Sequence, residues 1–407
     1  METERRCEKC GQMIPWGERK CPACGDDERL LWSVSRNELL LLSLAALILL
    51  FIATSFSVTA YHAKEHSLAE QWYASGELDL AAGRAEAAIE DFRAALVYSH
   101  NDPLIEFQLA HALTAAGHLH QARAYLLGLW EREPGSGTVN LELAQLAASS
   151  GSVEEATQYY HGALYGQWDK NPAQNRLMAG LNLAEFLIKV GQKAQAQAEL
   201  IALTAGLPND PVLETRVGSL LIETGEYEHA APLFRQALRL NPNYLPALEG
   251  AGEASFEMRD YQAARRYLSR AKRLGALSSQ SAQRLETANL IQQSDPLAPR
   301  LRGQERASRA LAAFNQAVER LGQCAAARGV SFDNGPRQSD LLQLHAQAAA
   351  LQPKVNARNL ARDSDLLLKA TDMAFDVEKA TERACGEPQG LDLALLLLSR
   401  TQEGANE

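Results

Sequence analysis

Four cysteines lie close together near the start of the chain, in two pairs of the form Cys-x-x-Cys-Gly. The pairs are Cys7 with Cys10 and Cys21 with Cys24, and ten residues separate them. Two cysteines three positions apart on a tight turn can direct both thiolates at one ion, and the glycine after each pair lets the backbone fold under the metal without a Cβ clash. Four sulfur ligands form a closed tetrahedral site, which is typical of a structural ion rather than a catalytic one. Redox-active pairs or two disulfides are the alternatives.

The segment CEKCGQMIPWGERKCPACG resembles the short zinc-ribbon domain found at the ends of many bacterial proteins, including the proline-containing turn at 15–17. It departs from that pattern at Lys20, where an aromatic residue is common. We expect a zinc ribbon over residues 1–30, with a structural Zn²⁺ supplying most of its folding free energy. Residues 1–38 hold seven Lys and Arg against eight Asp and Glu, so we expect no nucleic-acid binding.

An apolar run follows the cysteine segment. Residues 39–63 contain no Asp, Glu, Lys or Arg. Because roughly 20 helical residues cross a hydrocarbon core of about 30 Å, the run predicts a transmembrane helix over 39–61. A buried core helix and a cleaved secretory signal are the alternatives, and the polar residues before the run disfavour a signal.

The charges beside this run predict its orientation. Lys20, Arg29 and Arg36 lie on the N-terminal side, whereas Lys64 is the nearby basic residue on the C-terminal side. An excess of positive charge marks the cytoplasmic side of a membrane. We therefore expect a single-pass protein of the bacterial inner membrane, with the N-terminus cytoplasmic and the rest periplasmic. Trp32 and Tyr61 are candidate interfacial anchors.

A 34-residue period occupies the middle of the chain. Each copy has two small residues twelve positions apart, a glycine between them, and a bulky residue four positions after the second small one. Small residues facing each other let two antiparallel helices approach closely, the glycine turns the chain, and the bulky residue fills the space between the helices. The first small residues are Gly76, Ala110, Ala144, Ala184, Gly218 and Gly252, and the glycine position holds Gly83, Gly117, Gly151, Gly191, Gly225 and Arg259. Prolines 134, 208 and 242 are expected to stop second helices.

This pattern resembles the tetratricopeptide repeat, in six copies over residues 69–275, interrupted by an insertion around 165–172. The resemblance implies an all-α superhelix whose concave groove binds peptides or helices of partner proteins. It also implies that the first helix of each repeat lines the groove, and an acidic groove of this kind suits a basic or amphipathic segment. The expected groove residues are Tyr73, Glu77, Phe107, His111, Gln145, Glu185, Ser219, Glu253 and Phe256, and the same projection includes Leu181 and Thr215.

Beyond residue 275 the repeat pattern fades but helical periodicity continues. We expect a linker over 276–300 and a helical bundle over 301–400, either degenerate repeats or a cap. Cys324 and Cys385 each lie near the end of an apolar helix stripe. If this part lies outside the cytoplasm, a disulfide between them is attractive, and two buried free thiols are the alternative.

Motifs for catalysis are absent from the sequence, which has no HExxH, GxSxG, phosphate-binding GxxxxGK[ST] or dinucleotide-binding fingerprint. A net charge of −10 also excludes a generally basic nucleic-acid binder. His111, His118 and His120 fit exposed loop residues better than a surface metal site. The sequence thus favours a membrane-anchored, non-enzymatic scaffold that binds a partner protein, and envelope assembly is its expected role. A transmembrane sensor or regulator that couples periplasmic repeats to a cytoplasmic ribbon is the alternative, and an enzyme within residues 300–400 is a third hypothesis.

Overall fold

The structure, a computed structural model, describes residues 4–26, 36–330 and 340–406. Arg29 and Trp32, two residues expected to flank the span, lie outside the described residues. The chain forms two compact units, an N-terminal unit over Met1–Tyr125 and a C-terminal unit over Leu126–Glu407.

The N-terminal unit begins with a two-stranded antiparallel hairpin, β1 (Arg5–Arg6) and β2 (Met13–Ile14), in which Arg5 pairs with Ile14. Its helices are α1 (Arg36–Ala81), α2 (Ala85–Tyr98) and α3 (Pro103–Ala115). Helix α4 (Leu119–Arg132) crosses the boundary between the units.

Helix α1 runs for 46 residues and includes the expected span. It is long and apolar enough to cross a membrane, and none of its most apolar window is buried in the protein. The sequence predicts a span at 39–61 separate from repeats beginning at 69, whereas one continuous helix contains both the span and the start of the repeats. The reason is local, because no Gly or Pro occurs between Leu39 and Ser75 to interrupt helical hydrogen bonding.

Close packing of small against bulky residues builds the repeats of the N-terminal unit. Gly76 of α1 lies over the ring of Phe92, and a Cβ at Gly76 would approach that ring to 2.7 Å. Ala88 and Phe92 are fully buried in the same cluster as Leu109 and Leu113 of α3. The residues that recur every 34 positions are therefore those through which the helices pack against each other.

The C-terminal unit contains four further helix pairs that follow the repeat pattern. They are α5 (Gly137–Ser149) with α6 (Val153–Tyr165), α7 (Pro172–Lys189) with α8 (Lys193–Thr204), α9 (Pro211–Thr224) with α10 (Tyr227–Leu240), and α11 (Leu245–Glu257) with α12 (Tyr261–Leu274). The turn glycines at 151, 191 and 225 have φ between 77° and 87°, a left-handed conformation that glycine adopts readily. Arg259 occupies the same position in the last pair with φ 64°.

The insertion between α6 and α7 folds back onto the start of α5. The indole of Trp168 donates to the carbonyl of Ala163 at 2.9 Å. A Cβ at Gly137 would lie 2.4 Å from the same indole, so glycine is required there by close approach. Gly137 is therefore part of a packed contact.

Residues 276–300, expected to be a linker, contain helix α13 (Ser279–Ser294) instead. Leu285, Ala288 and Ile291 recur at intervals of three and are buried, so an apolar helical face drives this segment to pack. The expectation of a linker was wrong because the 34-residue columns fade here while the shorter helical period persists.

Five helices complete the C-terminal unit. They are α14 (Gly303–Ala327), α15 (Asp340–Leu351), α16 (Ala357–Arg362), α17 (Ser364–Cys385) and α18 (Gly390–Asn406). The apolar stripes predicted from the sequence meet in one core, which includes Phe314, Leu321, Val377 and Leu395. A helical bundle therefore follows the last repeat.

Candidate metal centre and repeat surface

The hairpin brings the four N-terminal cysteines together. Their sulfur atoms all lie within 4.8 Å of one another. Cys7 Sγ is 3.6 Å from Cys24 Sγ, and Cys10 Sγ is 3.4 Å from Cys21 Sγ. Cys7 and Cys21 are buried, and they form a small cluster with Ile14 of β2. The arrangement can hold one metal ion.

The two cysteine pairs share one backbone geometry. The amide of Gly11 donates to the carbonyl of Cys7 at 2.9 Å, and the amide of Gly25 donates to the carbonyl of Cys21 at 2.9 Å. Both glycines have positive φ, 72° and 68°. The glycine after each pair is therefore required by the turn, as the motif predicted.

The surroundings of the sulfurs favour a bound cation. Backbone amides, first that of Cys24 and then that of Ala23, lower the pKa of Cys21 to about 6. A backbone amide at Asp26 acts in the same direction on Cys24, but the neighbouring cysteines, led by Cys10, raise the pKa of Cys24 to about 12. One of the four thiols therefore ionises easily. Ionisation of all four is unfavourable because the negative charges of the thiolates repel each other, and a metal cation bound among them offsets that repulsion.

Trp16 was not singled out by sequence reasoning. It lies on the turn between β2 and the second cysteine pair, and 82% of its surface is exposed. An exposed tryptophan on a rigid turn is a common anchor for protein contacts. The exposure of Trp16 could have been predicted from its neighbours Pro15 and Gly17, because they mark a turn whose central side chain points outward.

Six of the expected groove residues occupy one equivalent position in the six repeats. Each directly follows the buried small residue of its first helix. The set consists of Glu77, His111, Gln145, Glu185, Ser219 and Glu253. In the N-terminal unit Glu77 and His111 are exposed; in the C-terminal unit Gln145 and Ser219 are exposed and the two glutamates are half-buried. We call the four members in the C-terminal unit, Gln145, Glu185, Ser219 and Glu253, the first-helix row.

The two glutamates of the row in the C-terminal unit pair with arginines of the next first helix. Arg216 donates to Glu185 at 2.6 Å. Arg284 of α13, whose side chain is 13% exposed, lies 2.9 Å from Glu253. The expectation that these acids are free for a ligand therefore needs correction, because each is held by a cation 31 residues later in the sequence.

Aromatic and apolar groove candidates also differ from expectation. Phe256 packs against the core of the C-terminal bundle, with its ring 5.2 Å from that of Tyr261. Leu181 and Thr215 are buried between helices. These side chains face their own protein because their helices are covered by a neighbour, which a single-repeat projection does not reveal.

The remaining candidates lie in the N-terminal unit. The hydroxyl of Tyr73 donates to Glu77 at 2.9 Å, and its ring lies 5.8 Å from that of Phe92. Burial raises the pKa of Tyr73, and its bond to Glu77 acts in the same direction. Phe107 is half-buried on α3. His118 contacts Glu86 at 3.0 Å, and His111, His118 and His120 form no metal-holding group among the described residues.

The last two cysteines meet at the ends of their helices. Cys324 Sγ and Cys385 Sγ lie 1.95 Å apart, bonded as a disulfide, with Cα atoms 5.9 Å apart. The bond joins the C-terminal ends of α14 and α17 around the bundle core.

Comparison with known proteins identifies the repeats. Residues 107–172 and 221–296 match family models described as tetratricopeptide repeat. These matches confirm the repeats predicted from the 34-residue period, and the match over 221–296 includes all of α13. A search of curated proteins found no match. The chain is thus an all-α protein built on tetratricopeptide repeats, and proteins with this fold act in protein–protein interaction.

Several solved structures resemble part of the chain. YrrB, described as a TPR protein with an unusual peptide-binding site, is 18% identical, with 45% of this chain and 91% of YrrB covered and a TM-score of 0.37. PilW, described as a widely conserved type IV pilus biogenesis factor, is 17% identical, with 54% and 98% covered and a TM-score of 0.39. The C-terminal part of a TPR repeat-containing protein from Cytophaga hutchinsonii is 16% identical, with 55% and 85% covered and a TM-score of 0.42.

Proposed function

We propose that this protein is a membrane-anchored scaffold that binds a segment of a partner protein on the first-helix row, in the assembly of the bacterial cell envelope. The observation that carries this proposal is the alternation between adjacent repeat positions. Gly218 is buried against Phe234, whereas Ser219 beside it is exposed. Ala144 and Gln145 show the same alternation, whereas Glu185 and Glu253 are half-buried beside their buried small residues, so packing uses one position and leaves the next at least partly accessible to a ligand.

The chemistry of the row suits a segment with mixed polar contacts. Gln145 and Ser219 offer uncharged hydrogen-bonding groups, while Glu185 and Glu253 already have arginine partners. A basic side chain of a partner competes with those arginines for the carboxylates. An amphipathic segment therefore fits the row better than a purely basic one.

We propose a structural zinc ion at the four-cysteine site. A zinc–sulfur bond of about 2.3 Å places sulfurs of a tetrahedron about 3.8 Å apart. The separations of 3.4 and 3.6 Å between facing sulfurs are close to that value. Four thiolates leave no open position, so the ion stabilises the ribbon and presents Trp16 and its turn to a partner.

The proposed topology places the ribbon in the cytoplasm of a bacterium and the repeats in the periplasm. Two features support it, the basic residues before the apolar run and the disulfide between Cys324 and Cys385, since disulfides persist in the periplasm. Thiol labelling without reductant in intact membranes should leave both cysteines unmodified. Free reaction of both in folded protein would contradict a periplasmic bundle.

A second function, a transmembrane sensor or regulator, is favoured by the continuity of α1. The helix passes from the apolar run into the first repeat without a break, and Ala69 and Gly76 pack within that repeat. A displacement of the repeat would therefore be carried into the span. Insertion of a flexible glycine-rich segment after Lys64 separates the two functions, because it should abolish signalling by a sensor and leave binding by a scaffold intact.

The scaffold function is tested by blocking the row without touching the core. Gln145→Trp with Ser219→Trp should prevent co-purification of a discrete partner from membranes, because both side chains point away from the packed interfaces. Gln195→Trp is the matched control, since Gln195 is exposed on the second helix of the fourth pair. Equal capture by the row variant and the control would contradict binding at the row.

A further inference from the structure

Helix α12 carries a strongly basic surface in an otherwise acidic protein. It contains five basic residues and no Asp or Glu: Arg265, Arg266, Arg270, Lys272 and Arg273. Three of them, Arg266, Lys272 and Arg273, are exposed. Arg270 donates to Asn243 at 3.2 Å, and within the described parts of the chain no carboxylate forms an ion pair with any of the five.

The opposite charge is concentrated on the first repeat. Residues 65–98 hold seven Asp and Glu against two Arg. Helix α2 presents Glu86 and Glu90 with 74% and 73% of their side chains exposed. Their contacts, to His118 and Arg93 respectively, are exposed ones, which are weak and easily exchanged.

The two surfaces also match in form. Helices α2 and α12 are both second helices of their repeats, and each has 14 residues. Glu86 and Glu90 are four residues apart, as are Arg266 and Arg270, so each pair lies along one helix face. In the sequence, α2 belongs to the first repeat and α12 to the last. Acidic residues outnumber basic ones on α2, and the charged residues of α12 are all basic.

We infer that the α12 face of one copy binds the α2 face of a second copy of this chain. The contact is heterologous, because different surfaces meet in it. Pairs of exposed charges are individually weak and are screened by salt. The inference does not depend on the first-helix row.

The test uses two differently tagged copies of the full chain, co-expressed and purified in lipid-free detergent, with capture of one tag measured through the other. Glu86→Lys with Glu90→Lys should reduce capture at least tenfold, and so should the reversal of the three exposed basic residues of α12, Arg266→Glu with Lys272→Glu and Arg273→Glu. The variant with all five reversals should recover capture, because α2 is then net basic and α12 net acidic. Glu154→Lys, on the second helix of the third repeat, is a matched control that should behave as wild type.

The outcomes distinguish this contact from others. Capture by the wild type at low ionic strength, its loss at high ionic strength and its recovery in the fivefold variant support a second copy as the occupant. Helical content measured by circular dichroism shows whether each variant is folded. Wild-type copies that stay monomeric at low ionic strength, or a folded fivefold variant that fails to recover, overturn the inference. If the protein is monomeric in detergent and its α12 arginines become inaccessible to solvent in nanodiscs that contain phosphatidylglycerol, the α12 face binds lipid. That outcome would also overturn the inference.

Discussion

The guanidinium of Arg259 donates to the backbone carbonyl of Arg400 at 2.7 Å, across 141 residues of sequence. Arg259 stands where five other repeats have glycine and keeps the same positive φ, 64°. A non-glycine residue in this conformation costs roughly 1 kcal/mol. The hydrogen bond and the side-chain contact offset that cost and fasten α18 to the turn of the last repeat.

Arg259→Ala should therefore destabilise the C-terminal unit by about 1–2 kcal/mol, because it keeps the backbone strain and loses the bond. Arg259→Gly should fall between Ala and wild type, since it removes the strain as well. Denaturant unfolding gives the stability, and hydrogen exchange in α18 reports the local loss. If glycine were as harmful as alanine, the turn would not be strained.

Gly252→Ala should destabilise the repeats by about 1–3 kcal/mol, because a Cβ there would lie 2.5 Å from Leu268 and the helices would have to separate. Gly206→Ala is the control, since its Cβ meets nothing within 4 Å. Thermal unfolding of both variants measures the difference. Equal stability of the two would show that the helices in the last repeat are not closely packed at the small residues.

The full-length protein should bind one zinc ion, and a strong chelator should remove it and unfold the ribbon. Cys21→Ser with Cys24→Ser should abolish stoichiometric binding, because two sulfurs cannot complete a tetrahedral site. Cys324→Ser with Cys385→Ser should retain the metal. Metal analysis after gel filtration measures each, and retention of one zinc by the first variant would disprove the four-sulfur site.

Glu378 should make the C-terminal bundle less stable as pH rises. It is fully buried, and burial, with the nearby carboxylate of Asp392, raises the pKa of Glu378 to about 8 despite Arg320 at 3.2 Å. The folded chain thus keeps a proton that an unfolded glutamate releases near its ordinary pKa of 4.5. Stability contributed by this group is complete below that value and is lost progressively as pH rises to about 8.

Glu378→Gln should remove this dependence, because the amide has a similar shape and no charge. At mildly alkaline pH we expect the variant to be more stable than wild type by on the order of 3 kcal/mol. Denaturant titrations at several pH values measure the slope. An unchanged slope in the variant would mean that Glu378 is ionised throughout, paired with Arg320.

Much of the architecture could be predicted from the sequence because it repeats. Ala88 and Phe92 recur as a pair of columns, and helix contact is the physical reason for both, so the pattern alone defined the helix pairs. The site formed by Cys7 and the other three N-terminal cysteines could be predicted equally well, because a metal site requires fixed ligand types at short spacing.

The other features of the candidate site depend on which surface of a helix is covered by a neighbouring helix. Phe256 has the same sequence environment as a solvent-facing residue, and its partial burial follows from packing against the core of the C-terminal bundle, which a projection of one repeat does not contain. Arg284 lies in a segment whose repeat columns have faded, so its pairing with Glu253 could not be predicted. Tertiary contacts of this kind leave no periodic signal in the chain.

The central claim, that a partner protein binds along the first-helix row, is tested most directly by a photo-crosslinking amino acid placed singly at Gln145, Ser219 or Gln195 of the full chain in native membranes. The account predicts one discrete crosslinked protein from both row positions and none from Gln195, with loss of the Gln145 product when Ser219→Trp is added. Crosslinking from Gln195 alone, or no crosslinked protein from either row position, would contradict the claim.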